Sequence, residues 1–570
     1  MKRALACGLL LLFACLIAMP VMAAERPNVI LVMADDMGYA DLGATGNPKI
    51  HTPNLDRFAK ESVQVEPFFV CPVCAPTRSS LMTGRYNYRT GVTDTYLGRA
   101  MMHGDEVTIA EMLRQAGYST GIFGKWHLGD CYPMRPMDQG FDESLVHTGG
   151  GLCQPAGPPD NSYFDPSLLH NGTRIQTKGY CSDIFTNAVI DFIDGHRDGP
   201  FFVYLPFNCP HGPFQVAEEY SDPYDAMNLK PDDFPAVAGG HPLRSIPDNT
   251  TKVYGMVTNI DDNLGRLFAK LDSLGLKENT IVIFLTDNGP NGMRFRAGMR
   301  ACKGSVYEGG IRTCFFIRWP SKLNAGHKVD KMAAHIDVTP TLLDACGVDV
   351  PDGVRLDGRS ILPLLQNKPV DWPERTLYFQ WHRGDAPEPF RACAARAADY
   401  KLVNGTELYD MKSDPLETED VAAEHPDVVA KMRGEYEAWL ADVSRDHGYE
   451  APKILIGTPH EETTILTRQD WRGPKATWGR DGLGHWELAV PKGGSFEAEV
   501  RFDPAKQPAT VYLKVQGIEL KKQVAAGVGR VSFDSIDLKA SPAERLETWI
   551  VAEGAPKSYG AQFVHVSREK

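Results

Sequence analysis

A cysteine followed closely by a proline and an arginine, in the run Cys74-Ala75-Pro76-Thr77-Arg78, has the clearest chemical potential in this sequence. The run places a nucleophile-class side chain beside a turn-forming residue and a guanidinium, directly before a segment that could open a helix. Because the first turn of a helix offers free backbone N–H groups and a positive dipole end, this place suits an anion. The run therefore predicts a nucleophile that handles an anion, although similar short runs also occur in ordinary loops.

The segments around this run alternate between apolar strands and helices. Residues 27–33, 200–205 and 280–286 are apolar runs typical of buried parallel strands, and residues 254–274 have helical spacing. This alternation predicts an α/β fold with a large, mostly parallel sheet flanked by helices. Ligands of such sheets bind beyond the carboxyl ends of the strands, where polar motif residues fall here. Residues 130–175, rich in Gly, Pro, Asp and Asn, are expected to form long loops on the substrate side.

The character of the chain changes after about residue 365. Short strands and turns, followed by a helical segment, predict a smaller α+β subdomain over residues 366–450. From residue 451 apolar and polar residues alternate between Gly and Pro turns, which predicts an antiparallel β-sandwich module over residues 451–570. The catalytic α/β domain is then expected over residues 25–365.

The N-terminus has the pattern of an export signal. Two basic residues precede an almost wholly apolar run over residues 4–19, and a small-residue cleavage site follows at 21–23. Residues 1–24 are therefore interpreted as a signal peptide. The apolar run is short for a membrane span and no second one follows, so we expect no permanent membrane anchor. An exported protein, periplasmic or extracellular, is predicted.

Length and charge narrow the class of protein further. The chain has 570 residues. A single hydrophobic core rarely supports a chain of that length, so two or more domains are expected. The net charge of −13 argues against a nucleic-acid partner or an anionic membrane surface. An anionic substrate stays possible, because basic side chains and a metal ion set the field inside a cleft.

Five segments match, in order, the motifs of one enzyme family. The Cys74 run continues as Ser79-Ser80-Leu81-Met82-Thr83-Gly84-Arg85, and C-x-P-x-R followed by L-[TM]-x-G-R resembles the signature of type I sulfatases, in the alkaline-phosphatase-like superfamily. The other segments are Asp35-Asp36, residues 124–129 (GKWHLG), residues 208–213 (NCPHGP), and Asp287-Asn288-Gly289 followed by Gly304 and residues 308–312 (EGGIR). Each is weak alone, but five in order over about 280 residues are specific. The resemblance covers roughly residues 26–420, and Thr77 stands where the family commonly has Ser.

The resemblance implies a modified nucleophile and a cation. Cys74 would be oxidised after translation to Cα-formylglycine by a maturation enzyme, and the hydrated aldehyde would be the nucleophile. Asp35, Asp36, Asp287 and Asn288 would bind the cation together with the modified Cys74. These four side chains supply only oxygen ligands, so Ca²⁺ is the expected ion, with Mg²⁺ or Mn²⁺ behind it. An isolated Asp-Asp pair at a strand end would more often cap a helix or form a turn.

The resemblance also assigns roles to five catalytic side chains. Arg78 would hold the modified residue, and Lys125 and Lys303 would neutralise sulfate oxygens where charge grows in the transition state. His211 would protonate the leaving alkoxide, and His127 would act as the base that releases sulfate. Each residue type alone also has a structural interpretation, as a solvated lysine or a hydrogen-bonded histidine, but the joint match favours catalysis.

Two groups of basic residues are weaker candidates for substrate binding. Arg294, Arg296 and Arg300 lie close together in the sequence, and His382 and Arg383 lie in a loop of the second subdomain. Each could contact a second anionic group or a sugar ring. Plain surface charge is an equally good interpretation for any one of them.

The sequence thus predicts an exported, Ca²⁺-dependent sulfuric ester hydrolase, with a sulfated carbohydrate as the expected substrate. The C-terminal β module, the long polar loops and the export signal favour a carbohydrate. One alternative is a phosphomonoester, phosphodiester or phosphonate hydrolase on the same fold, but the all-oxygen cation site with both Lys125 and Lys303 favours sulfate. The other is a non-catalytic glycan-binding pseudoenzyme, expected if Cys74 stays unmodified.

Overall fold

The computed structural model describes residues 26–569, so the predicted signal peptide at residues 1–24 lies outside the described residues. Within this part of the chain, none of the helices combines the length and the hydropathy that a membrane crossing requires.

The first part of the chain forms a ten-stranded sheet with a small three-stranded sheet beside it. The strands are β1 (Asn28–Ala34), β2 (Val63–Val65), β3 (Phe68–Phe69), β4 (Ser119–Lys125), β5 (Glu143–His147), β6 (Ser167–His170), β7 (Thr173–Gln176), β8 (Phe201–Pro206), β9 (Thr280–Thr286), β10 (Arg312–Thr313), β11 (Phe315–Arg318), β12 (Lys328–Val329) and β13 (Ala333–Ala334). The large sheet has the order β12-β2-β11-β9-β1-β8-β4-β5-β6-β7. Its central strands, β9, β1, β8, β4 and β5, are parallel, so their carboxyl ends share one edge.

Helices cover both faces of this sheet. The helices are α1 (Pro53–Glu61), α2 (Cys74–Thr83), α3 (Ile109–Gln115), α4 (Cys181–His196), α5 (Glu218–Met227), α6 (Thr250–Ser273), α7 (Glu308–Ile311), α8 (Val338–Cys346), α9 (Leu362–Leu365) and α10 (Pro426–Val443). Alternate residues of β1 enter two separate hydrophobic clusters, one with α1, α4 and α6 and the other with α3 and α8. Burial on both faces explains why β1 reads as a continuous apolar run rather than an alternating one.

The rest of the chain is rich in antiparallel sheets. Four strands form one sheet beside α10: β14 (Leu377–Gln380), β15 (Cys393–Arg396), β16 (Tyr400–Val403) and β17 (Glu407–Asp410). The strands that follow are β18 (Ile454–Leu455), β19 (Thr463–Thr467), β20 (Arg472–Lys475), β21 (Leu483–Val490), β22 (Gly494–Arg501), β23 (Ala509–Val515), β24 (Ile518–Val524), β25 (Arg530–Leu538), β26 (Ser541–Ala552) and β27 (Phe563–Arg568). They form two sheets that share one hydrophobic cluster, and we call residues 454–568 the C-terminal module. Leu97 and Met101 of the first part belong to the same cluster, so the module packs against the α/β part.

The predicted fold class, an α/β sheet with C-terminal antiparallel sheets, is confirmed. The expectation of long loops over residues 130–175 was wrong in part, because β5, β6 and β7 extend the large sheet there. These strands have four or five residues each. Strands this short, between Gly- and Pro-rich segments, show no clear alternation of apolar and polar residues in the sequence. The domain boundaries at 365/366 and 450/451 stay predictions.

Candidate active site

Helix α2 begins at Cys74 itself, and all of its residues are buried. Val73 precedes the helix, and its side chain makes no capping hydrogen bond to the backbone N–H groups of the first turn. The Thr77 hydroxyl donates to the backbone oxygen of Asp287 at 2.6 Å, which fixes the first turn against the end of β9. Burial raises the pKa of the Cys74 thiol, although two nearby lysines oppose the shift. The cysteine is thus held at the edge where the central strands end.

Four buried oxygen-bearing side chains surround this position. Asp35 and Asp36 follow β1, and Asp287 and Asn288 follow the parallel neighbour β9. The backbone N–H of Asp36 donates to Asp287 Oδ1 at 3.1 Å, and Asn288 Nδ2 donates to Asp36 Oδ1 at 2.9 Å. Parallel pairing therefore brings together two motifs that lie about 250 residues apart in the sequence.

The oxygens in this cluster fit a divalent cation. Asp35 Oδ1, Asp36 Oδ2 and Asn288 Oδ1 are buried and have no hydrogen-bond partner. Asp35, Cys74 and Asp287 each offer a ligand atom, and these three atoms lie within 4.8 Å of one another. Unpartnered buried oxygens are costly, and a hard cation would satisfy them. The donor set therefore fits Ca²⁺ or a similar ion.

Two basic side chains brace the carboxylates from the interior. Arg78 donates to Asp287 Oδ2 through both Nε, at 3.2 Å, and a terminal nitrogen, at 2.7 Å. Its other terminal nitrogen donates to the backbone oxygen of Lys125 at 3.0 Å, and Lys125 Nζ lies 2.6 Å from Asp35 Oδ2. Burial and the Asp35 charge raise the pKa of Asp287 to about 6 despite Arg78. A cation at the unpartnered oxygens would favour the ionised form of Asp287.

Lys303 and His211 approach the cluster from the other side. Lys303 Nζ lies 2.5 Å from Asp36 Oδ1, and His211 Nε2 lies 3.7 Å from Asp36 Oδ2. Burial opposes the charge on Asp36, but Lys303 and His211 outweigh it and hold the pKa of Asp36 well below its usual range. One cluster, buried except at the partly exposed His211 and Lys303, thus contains the sequence-predicted residues Asp35, Asp36, Cys74, Arg78, Lys125, His211, Asp287, Asn288 and Lys303.

The two predicted catalytic histidines differ in their hydrogen bonds. His127 Nε2 lies 2.7 Å from the backbone oxygen of Thr95, so Nε2 carries the proton and the buried, unpartnered Nδ1 carries the lone pair. Burial holds the pKa of His127 well below its usual value, which keeps a neutral ring suited to a base. His211 Nδ1 instead contacts the Gly212 carbonyl at 2.6 Å, which leaves Nε2 towards Asp36. Burial lowers the pKa of His211 to about 4, and the negative charge of a bound ester would favour its protonated form.

Sequence reasoning missed other polar side chains of this edge. His147 ends β5, is buried, and has no partner at Nε2; its low pKa, about 3, results from burial, with Lys125 and Arg78 among the nearby charges. Neither side-chain amide atom of Asn208, in the matched segment 208–213, has a hydrogen-bond partner. His147 directly follows a short apolar run, and this position could have indicated a polar side chain at the end of a strand.

Gln154 lies close to both His127 and His211, the two histidines predicted to be catalytic. A Cβ built on Gly150 would lie 2.7 Å from the His127 ring and 3.0 Å from Gln154 Oε1. A Cβ on Gly151 would lie 3.2 Å from Gln154 Nε2 and 3.3 Å from the His211 ring. A side chain at Gly150 would collide with the His127 ring, and one at Gly151 would be tight; the buried Oε1 of Gln154 has no partner. No sequence pattern indicated Gln154.

The three clustered arginines diverge in the structure. Arg294 is buried and pairs with Asp41, with Nε 2.8 Å from Oδ1, and it also donates to the backbone oxygen of Asp36 at 2.9 Å. Its charge is therefore used within the fold rather than offered to a substrate. Arg296 is largely buried and donates to the backbone oxygens of Met299 and Arg294. Arg300 stacks over the Tyr307 ring, with its guanidinium carbon 3.8 Å from the centroid.

His382 and Arg383 lie beside a loop that borders the site. His382 Nε2 accepts from the backbone N–H of Glu388 at 2.8 Å, so this buried histidine closes its own loop. Arg383 pairs with buried Asp94 at 3.0 Å and lies over the Tyr96 ring, while about half of its side chain stays exposed. Of the five weaker candidates, Arg383 keeps the most accessible charge.

Comparison with known proteins identifies the family. Residues 27–348 match the sulfatase family model, and residues 302–441 match the model described as N-sulphoglucosamine sulphohydrolase, C-terminal. Arylsulfatase A of Bos taurus is 31% identical, over 69% of this chain and 78% of that protein. N-acetylglucosamine-6-O-sulfatase of Bacteroides thetaiotaomicron is 26% identical, over 79% of this chain and 90% of that protein. The solved structure of Ps i-CgsB in complex with k-i-k-neocarrahexaose is 28% identical, with a TM-score of 0.65, over 74% of this chain and 94% of that one.

These matches span the α/β part of the chain, where the five ordered motifs meet at the carboxyl ends of the parallel strands. The chain therefore belongs to the sulfatase family and is a sulfuric ester hydrolase.

Proposed function

We propose that this enzyme removes sulfate from a sulfated carbohydrate, using a formylglycine made from Cys74 and a bound divalent cation, preferably Ca²⁺. The observation that carries the proposal is the group of three unpartnered, buried oxygens beside Cys74, on Asp35, Asp36 and Asn288. A carbohydrate substrate is supported by the relatives, since one is named N-acetylglucosamine-6-O-sulfatase and another was solved in complex with k-i-k-neocarrahexaose.

Asp35, Asp36, Asp287 and Asn288 would hold the cation, and the cation would supply positive charge to the nucleophile and to the sulfate oxygens. The modification of Cys74 would supply a hydrated aldehyde as the nucleophile. It would stand at the first turn of a helix, where backbone N–H groups favour an anion.

The remaining side chains would bind the sulfate group and move protons. Lys125 and Lys303, already directed at Asp35 and Asp36, would share their charge with the sulfate oxygens as the ester bond breaks. His211 would donate a proton from Nε2 to the leaving sugar oxygen. His127 would receive a proton at Nδ1, which its bond to Thr95 leaves free, when sulfate departs.

Two measurements test this proposal. Mass spectrometry of the peptide that contains Cys74 should show the aldehyde in protein made with a maturation enzyme, and Cys74→Ala should be inactive. Release of sulfate, measured by ion chromatography over a panel of sulfated oligosaccharides, should exceed release of phosphate from matched phosphate esters and phosphonates. A cysteine that stays unmodified in the native host would favour the glycan-binding pseudoenzyme instead. Phosphate release above sulfate release would favour the phosphoester alternative.

We also propose that the enzyme is exported, from the signal-like residues 1–24, and that it binds no nucleic acid. N-terminal sequencing of the mature protein should begin at about residue 25, after the small-residue cleavage site. Retention of the first 24 residues on protein from the exported fraction would contradict cleavage.

A further inference from the structure

The C-terminal module reaches the hydrogen bond that orients His127. Gln469 lies between β19 and β20 and is buried, with 3% of its surface exposed. Its Nε2 donates to the Thr95 backbone oxygen at 3.0 Å. The same oxygen accepts from His127 Nε2 at 2.7 Å. One carbonyl, with two lone pairs, therefore receives one donor from the predicted catalytic base and one from the module.

The orientation of the Gln469 amide follows from its partner. Thr95 offers a carbonyl oxygen, so a reversed amide would set Oε1 against that oxygen and repel it. The donor Nε2 must face Thr95, and Oε1 is left buried without a partner. The Gln469 amide thus makes this contact although burial of its unpartnered Oε1 is unfavourable.

The module also holds the rest of this loop, residues 93–99. The backbone N–H of Gly98 donates to the Gln469 carbonyl at 2.8 Å, and Arg472 donates to the Gly98 carbonyl at 2.7 Å. Leu97 packs into the hydrophobic cluster of the module, and Tyr96 meets the Trp478 ring edge to face. The loop is therefore attached to the module by backbone, side-chain and apolar contacts.

The second subdomain holds the same loop from another side. Trp381 Nε1 and Arg383 each donate to Asp94 at 3.0 Å, and Arg99 pairs with Asp385 at 2.8 Å. The backbone N–H groups of Thr93 and Asp94 both donate to the Arg99 carbonyl, which closes the loop on itself. With both ends held in this way, the Thr95 carbonyl is a point where the module contacts a hydrogen bond of the site.

We propose that Gln469 is a positioning residue for His127, acting through the Thr95 carbonyl, so that the C-terminal module completes the active site. The inference rests on the proposed role of His127 as a base. Without the Gln469 donor, the Thr95 carbonyl has one fixed contact fewer, so the imidazole that donates to it is held less firmly. Misplacement of a reacting group by about 1 Å costs up to about 100-fold in rate, so a partial loss of about tenfold in kcat is expected.

The test uses the full-length protein and two substitutions that remove the donor, Gln469→Leu and Gln469→Met. Gln516→Leu is the control for loss of a glutamine donor elsewhere in the module, because Gln516 donates to a different carbonyl, that of Lys539, at 2.8 Å. The first readout is the rate of deuterium exchange at the imidazole C2 position of His127, measured by mass spectrometry on protein with unmodified Cys74. The second is kcat and KM for 4-nitrophenyl sulfate on matured protein, with the urea midpoint recorded for every variant.

Both Gln469 variants should raise the exchange rate of His127 several-fold and lower kcat about tenfold, with KM within about twofold of wild type. Gln516→Leu should change none of these values.

An unchanged exchange rate at His127 in both Gln469 variants would overturn the positioning role, whatever happens to kcat. An equal fall in kcat in Gln516→Leu would also overturn it, because general loosening of the module would then explain the effect. Faster exchange with unchanged kcat would support the contact and would instead contradict the proposed role of His127 as a base.

Discussion

Two buried lysines provide a matched test of the active site. Lys125 Nζ lies 2.6 Å from Asp35 Oδ2, and Lys401 Nζ lies 2.6 Å from Glu417 Oε1. All four side chains have 0% exposure, so the two ion pairs are alike in distance and burial. Only Lys125 belongs to the cluster around Cys74; Lys401 lies on β16, and its ion pairs are with Glu308 and Glu417.

The expected magnitudes for Lys125→Met and Lys401→Met follow from this similarity. Breaking a buried ion pair by removing one partner costs about 3–5 kcal/mol, because the other charge is left uncompensated. In metal-free protein both variants should therefore be less stable than wild type. Lys125→Met should also lose the stabilisation of charge on the sulfate oxygens, about 10²–10³ in kcat or about 2.7–4 kcal/mol. Lys401→Met should keep kcat within about twofold.

The assay combines urea unfolding in EDTA with turnover of 4-nitrophenyl sulfate in excess Ca²⁺, under conditions where each variant is folded. Added Ca²⁺ should restore part of the stability of Lys125→Met, since the cation compensates Asp35, but should not restore Lys401→Met. A wild-type kcat in folded Lys125→Met would refute the role of Lys125 in catalysis. Equal losses of kcat in the two variants would refute the separation between site and scaffold.

Three further outcomes are expected. Cys74→Ala should abolish turnover while circular dichroism and the urea midpoint stay close to wild type; residual sulfate release would exclude residue 74 as the nucleophile. Removing divalent cations with EDTA should lower the urea midpoint of wild type, and Asp287→Asn should shrink that shift; equal shifts in both would place the cation elsewhere. The hydrogen bond to Glu106 raises the pKa of His447 despite partial burial, so its stabilising contribution is present below the unfolded pKa of about 6.5 and is lost as pH rises through the folded value. The difference in unfolding free energy between wild type and His447→Gln should therefore be larger at about pH 6 than at about pH 9, and a pH-independent difference would contradict this.

The sequence was informative where a local pattern has a fixed spatial consequence. The apolar run of β1 predicts a strand buried on both faces, and the carboxyl ends of parallel strands must lie at one edge. This reasoning predicts that Asp35 and Asp287 lie close together, as they do in the structure. The contact between Gln469 and Thr95 joins residues 374 positions apart, and a lone glutamine carries no pattern, so nothing in the sequence could indicate it.

The arginines between residues 294 and 300 show what sequence spacing could not predict. Arg294 and Arg300 lie close together in the sequence, and each is a weak candidate for contact with a second anionic group or a sugar ring. The backbone between them turns, so one guanidinium meets the Asp41 carboxylate and the other stacks on Tyr307. Which partner each side chain meets depends on tertiary packing and not on spacing along the chain.

The complete burial of α2 constrains the timing of maturation. A modifying enzyme must hold the segment around Cys74 in its own active site, yet every residue from Cys74 to Thr83 is enclosed in the folded protein. The oxidation that we propose must therefore occur while this segment is still accessible, before the helix packs against the sheet. Faster folding would then shorten the interval available for oxidation, so a substitution that accelerates folding of this region should lower the fraction of Cys74 that is converted.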